Sequence, residues 1–151
     1  MPEKTTLQRA LRDRRQGKAA STQAGEFVRE EIEHVREGKH GARSTKQAIA
    51  IGLSKARRAG VPLKPPQKGT TSEETRKHAE HDAEVGAHGG SKPSPRRSRA
   101  TKNALKREGH SAASHTALSK QAHRAAAKRT PAQRSASARK AARTRAANKT
   151  A

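Results

Sequence analysis

Three kinds of side chain hold whatever chemistry this 151-residue chain can perform: eight histidines, the carboxylates Glu26, Glu30, Glu31 and Glu33, and thirty-five lysines and arginines. Imidazoles ligate metal ions when further donors stand at set spacing. His78 and His81 are three apart on an expected helix, and His34 and His40 flank the end of another. No third ligand has fixed spacing, and the lysines and arginines nearby repel a cation. The histidines therefore read as solvated groups that gain charge below neutral pH. No metal ligand, cofactor-binding residue or catalytic residue is assigned. The carboxylates crowd the first half of an expected helix, where the macrodipole favours negative charge. No nucleophile elbow, P-loop or pair of catalytic carboxylates occurs, so no enzyme is expected.

The cations give the dominant signal. The net charge is +22 and the pI is near 11.7. Residues 1–84 hold eighteen basic and twelve acidic side chains, whereas from Val85 onward there are seventeen basic ones against Glu108 alone. Those seventeen are the candidate nucleic-acid contacts: Lys92, Arg96, Arg97, Arg99, Lys102, Lys106, Arg107, Lys120, Arg124, Lys128, Arg129, Arg134, Arg139, Lys140, Arg143, Arg145 and Lys149. Each phosphate they neutralise releases condensed counterions, which favours binding to any polyanion. Aromatics amount to 1% of the chain, with one Phe and no Tyr or Trp, so base stacking is not available as a binding mode. No zinc-finger spacing or RNP signature is present. Backbone contact with little sequence readout follows, with duplex DNA favoured over RNA as the partner. An RNA- or ribosome-associated protein has the same electrostatics. A third reading is an adaptor whose helical part docks a partner protein while the basic part tethers it.

The elements that position these residues are few. TLQRALRDRR, residues 6–15, puts Leu7, Ala10 and Leu11 at helical spacing, and residues 1–22 form a short helix and a hinge. Residues 23–63 predict a helical hairpin. In its first helix Ala24, Val28, Ile32 and Val35 form a stripe with Phe27 at its edge. Gly38 and Gly41 interrupt it. Ser44 and Gln47 then predict a capping box, Ala48, Ile49, Gly52, Leu53, Ala56 and Ala59 a second face, and Gly60, Val61 and Pro62 its end. Gly52 marks either a close approach of two backbones or a tolerated small residue. Glu31 and Lys55 intrude on the two stripes. They are expected to snorkel to water unpaired, the competing reading being a pair across the hairpin. The hairpin is expected to dimerise, or to dock a partner, through residues 24–59. Residues 64–85 are a Pro-rich spacer and a polar helix capped by Thr71 and Glu74, solvated or partly formed.

Residues 86–151 open with a linker, 86–95, and continue as a basic low-complexity tail whose only large apolar residues are Leu105 and Leu118. Such a segment cannot offset its ordering entropy by burial. The expected fold is therefore mostly α with extensive disorder: a small helical hairpin followed by a disordered tail. Zero cysteines exclude a disulfide framework. No apolar run approaches the roughly 20 residues of a membrane span, and the basic segments offer Ala where an interfacial helix needs Leu or Phe. Membrane insertion is not expected, and a cytoplasmic, nucleoid location is.

Two resemblances add to this. The segment GEFVREEIEHVREGKHGARSTKQAIAIGLSKARRAGVPL resembles a small bacterial family of domains of unknown function, marked by the Lys-Gln-Ala-Ile-Ala-Ile helix that runs here from Lys46 to Ile51. It covers roughly residues 25–63 and implies a bacterial origin but no activity. Ser94-Pro95-Arg96-Arg97 resembles the Ser-Pro-basic-basic units of linker-histone tails, and the Ala/Lys/Arg composition beyond it is similar to bacterial histone-H1-like proteins. These imply a histone-like, nucleoid-associated role. The alternative reading of the tetrapeptide is a proline turn beside ordinary basic residues.

Overall fold

The computed structural model describes residues 1–89 and 94–149, and every regular element among them is helical. Seven α-helices follow in order: α1 (Lys4–Arg15), α2 (Ala20–Arg36), α3 (Thr45–Arg58), α4 (Glu73–Ala87), α5 (Pro95–Lys106), α6 (His115–Ala127) and α7 (Pro131–Lys149), with a 3-10 turn at Ser111–Ala113. The chain divides into two compact units, Met1–Ser114 and His115–Ala151.

The expectation of a small hairpin with a disordered tail is overturned. Residues 95–149 carry three α-helices, and α4 is complete rather than partly formed. Two physical reasons account for this. The basic segments consist largely of Ala, Lys, Arg and Gln, the strongest helix formers, and need no apolar face to favour helix. They are also capped. Ser94 Oγ accepts from Arg97 N–H at the start of α5. Thr130 and Gln133 cap α7 reciprocally, each side chain accepting from the other's backbone N–H. The Ser-Pro-Arg-Arg tetrapeptide is thus a helix start, with proline in the first turn.

In the first unit the hairpin forms as its signals predict. Ser44 Oγ accepts from Gln47 N–H at the start of α3. At its end Gly60 takes φ +85°, with Gly60 N–H on Arg57 O and Val61 N–H on Ala56 O, which is a Schellman closure. At the start of α4 the cap is Ser72, accepting from Thr75 N–H, one residue later than the Thr71 expected. The core gathers Ala24 and Phe27 near the start of α2 against Ala56 near the end of α3, with Ala10 and Val61. α1 packs on α2 and α4 on α3. The stripe expected to serve a dimer partner is therefore largely covered by this chain's own helices. On α1 the buried residues are Thr6, Ala10 and Asp13, while Leu11, expected to face inward, is 51% exposed.

Large apolar side chains are scarce, so the helices approach closely instead. A Cβ on Gly52 would fall 2.6 Å from the Val28 Cα, and one on Gly86 only 1.9 Å from the Arg57 carbonyl oxygen. Backbone contact is thus the reason for Gly52. Gly41 does the same for the segment after α5. A Cβ there would fall 1.9 Å from Glu108 O, and its N–H donates to Leu105 O while Ala42 N–H donates to Gly109 O. The Thr45 hydroxyl and the Arg36 guanidinium, donating to Ala112 O at 2.6 Å and Ala113 O at 2.8 Å, complete a clasp that holds residues 105–113 on the hairpin loop. The tail expected to begin at residue 86 therefore contributes its part up to Ser114 to the first compact unit.

Candidate nucleic-acid interface and the buried ionic cluster

The candidate cations fall on different supports. Arg96, Arg97, Arg99, Lys102 and Lys106 lie on α5, with Arg107 as its C-cap, all in the first unit. Lys92 lies outside the described residues. In the second unit Lys120 and Arg124 lie on α6, Lys128 and Arg129 in the turn, and Arg134, Arg139, Lys140, Arg143, Arg145 and Lys149 on α7. Residues 115–149 thus hold ten basic side chains and no acidic one. Every residue of α7 is exposed. Two arginines also build the corner: Arg134 Nη1 donates to Arg129 O at 2.8 Å, and Arg129 Nη1 to Ser137 Oγ at 3.2 Å. At 3.6 residues per turn the cations of α7 fall into two opposed groups, Arg134, Arg145 and Lys149 on one side and Arg139, Lys140 and Arg143 on the other.

The second concentration of charge is inside the first unit, and the sequence offered only its Glu31–Lys55 pair, as the competing reading. Glu31 is fully buried, at 0% exposure. Lys55 Nζ stands 2.6 Å from its Oε2 and His40 Nε2 stands 3.1 Å from its Oε1. The pair across the hairpin therefore exists, and unpaired snorkelling is corrected. Removing both charges from water on separate helices would cost several kcal/mol each, and their proximity offsets part of that. Among the described residues, neither Glu31 oxygen accepts a well-aligned hydrogen bond. Lys55 also donates to Glu30 Oε1 at 3.3 Å. The Glu3 N–H donates to Glu30 Oε2 at 3.0 Å, tying the start of α1 to α2. Burial raises the Glu30 pKa, but the Thr6 hydroxyl, the Glu3 amide and Lys55 together outweigh it, and the carboxyl sits below its ordinary value. Hydrogen bonds from His34 and Lys39 likewise lower the Glu3 pKa.

On the far side of α3, Asp82 of α4 accepts from Ser54 Oγ at 2.6 Å and Arg58 Nη1 at 3.3 Å. Burial lowers the pKa of Arg57, and the nearby Asp82 partly counters it.

His34 and His40 do not remain solvated flanking groups. Their rings meet edge to face with centroids 6.0 Å apart, and with Glu31 they present three ligand-type atoms all within 4.8 Å of one another. The sequence signal was the pair Glu31 and His34, three apart on one helix face. His40 joins them only through the turn that follows α2. By contrast, His78 is exposed on α4, 3.8 Å from Glu74.

Comparison with protein-family models, with curated proteins and with solved structures found no match to this chain. No helix among the described residues is long and apolar enough to cross a membrane.

Proposed function

We propose that this chain is a bacterial nucleoid-associated protein that coats or compacts duplex DNA through phosphate contacts, with little sequence preference. The observation that supports this most is the second unit, with ten basic side chains, no acidic one, and a 19-residue helix whose every side chain is exposed. A helix that is polar all round has no face to bury against protein. Its like charges raise its own energy, and a polyanion lowers it. Cations on two opposed sides suit a helix flanked by phosphates on both sides, whether within one groove or between two duplexes. Near-absence of aromatic residues fits backbone contact rather than base stacking.

The test is a salt titration of binding to matched duplex DNA, single-stranded DNA and double-stranded RNA. The full chain is compared with a variant carrying Arg139→Gln, Lys140→Gln and Arg143→Gln, and with one carrying Arg134→Gln, Arg145→Gln and Lys149→Gln. Each lost phosphate contact flattens the log–log slope by roughly 0.9 on B-DNA, so each triple variant should lower it by about two to three units. Preference for RNA would move the protein to the transcript or ribosome pool. Unchanged slopes in both variants would overturn the assignment of α7.

A further inference from the structure

We propose that Glu31, His34 and His40 form a binding site for a first-row divalent metal ion of the zinc class. Two imidazoles and a carboxylate are the donor set of many zinc sites that keep a fourth position for water. Here the three ligand-type atoms already lie within 4.8 Å of one another. Tetrahedral donors about 2.0–2.1 Å from zinc stand roughly 3.3 Å apart, so binding draws the cluster together by at most about 1.5 Å. His40 Nε2 and Glu31 Oε1, at 3.1 Å, are at that separation before any movement.

A second, independent observation points to a ligand. The Glu31 carboxylate is completely buried, and among the described residues neither oxygen accepts an aligned hydrogen bond. A buried acceptor left in that condition is costly, and a cation on Oε1 relieves it while Lys55 keeps Oε2. The surrounding contacts already orient the histidines. His40 Nδ1 lies 3.0 Å from the Gly41 carbonyl oxygen, which favours the Nδ1–H tautomer for a metal-bound ring and turns Nε2 toward Glu31 Oε1. Glu3 Oε1 holds His34 Nε2 at 2.8 Å. Such outer carbonyl and carboxylate partners fix the tautomer and orientation of metal-bound imidazoles.

The charge balance also permits a cation. Four carboxylates, Glu3, Glu30, Glu31 and Glu37, stand against two ammonium groups, Lys39 and Lys55, in this set of contacts. With neutral imidazoles the set is two charges negative, despite the strongly basic chain around it. The donors come from α2 and the turn after it, so the ion would fasten the hairpin loop.

The experiment titrates the full chain with cobalt(II), followed by its visible d–d absorption, and with zinc by calorimetry. Expected is one ion per chain, bound with a micromolar or tighter dissociation constant, with a rise in Tm that a chelator reverses. His34→Ala and His40→Ala should each weaken binding at least tenfold. A control variant with His78→Ala and His81→Ala should bind as the parent does. If His40→Ala fails to fold, His40→Asn keeps a donor for Gly41 O, removes the Nε2 ligand, and gives the same reading. Absence of binding by the parent chain would overturn the proposal. So would binding that survives loss of His34 and His40, or that disappears in the control.

Discussion

Residues 1–114 and residues 115–149 are both rich in alanine and both helical, yet they treat charge in opposite ways. The first unit holds all thirteen acidic residues and folds several of them inward, onto Lys55, His40, Arg58 and the Thr6 hydroxyl. The second has no acidic residue and turns α7 wholly to solvent. The first pairs several of its cations with carboxylates of its own; the second has no acidic side chain to pair with. The lesson is that a strongly basic composition can be handled in two ways within one molecule. Residues 1–114 carry twenty-five basic against thirteen acidic side chains and residues 115–149 ten against none, so a similar excess arises in one part beside internal ion pairs and in the other without any acidic side chain.

Breaking that contrast is most direct at the buried pair. Lys55→Ala leaves Glu31 without its ammonium partner and should destabilise the first unit by about 3 kcal/mol or more, read from urea unfolding. A double-mutant cycle with Glu31→Ala should return a clear coupling energy, and additive effects would show that the pair is not coupled. Next comes Gly52→Ala. Although alanine favours helix by about 1 kcal/mol, its Cβ would press on the Val28 backbone. The expected result is a net loss of about 1–3 kcal/mol, and a gain in stability would show that α2 and α3 separate easily.

The pH dependence is smaller. The Glu30 pKa is lower in the folded chain than its ordinary 4.5, so the folded state favours the ionised form. That contribution is fully present above about 4.5 and fades as pH falls through the folded value. The urea midpoint should drop on acidification below that point, and Glu30→Gln should make the acid decline shallower. The smallest effect belongs to the second unit. Arg139→Ala and Arg143→Ala on α7 touch nothing buried and should move the unfolding of the first unit by less than about 0.5 kcal/mol. A larger shift would break the contrast between the two regions.

Local signals were legible in the sequence. Ser44 with Gln47 and Gly60 before Val61 mark helix ends through hydrogen bonds spanning a few residues, and both occur. The stripe of Val28, Ile32 and Val35 located the hairpin because periodicity records which face is dry. What failed to show were arrangements without a residue-type signature. The clasp of residues 105–113 is made on its side entirely of backbone carbonyls, which accept from two backbone amides and from the Thr45 and Arg36 side chains across some seventy positions, and carbonyls leave no mark in a sequence. The body was underestimated because its interior uses Ala, Gly and ions, whereas burial was judged from Leu, Ile, Val and Phe. Of the possible metal ligands, Glu31 and His34 were readable as neighbours on a helix, but His40 depends on the path of a turn.

That interior has a calorimetric consequence. Unfolding an ordinary domain raises the heat capacity by about 12–15 cal/mol/K per residue, chiefly because apolar surface meets water, while exposed polar surface lowers it. Close-packed backbone, methyl groups and paired charges expose less of the first and more of the second. The stability curve of residues 1–114 should therefore be low and broad, weakening little in the cold. The hydration that buried ions give up also becomes less favourable with heating, so the Glu31–Lys55 contact holds its worth as the temperature rises.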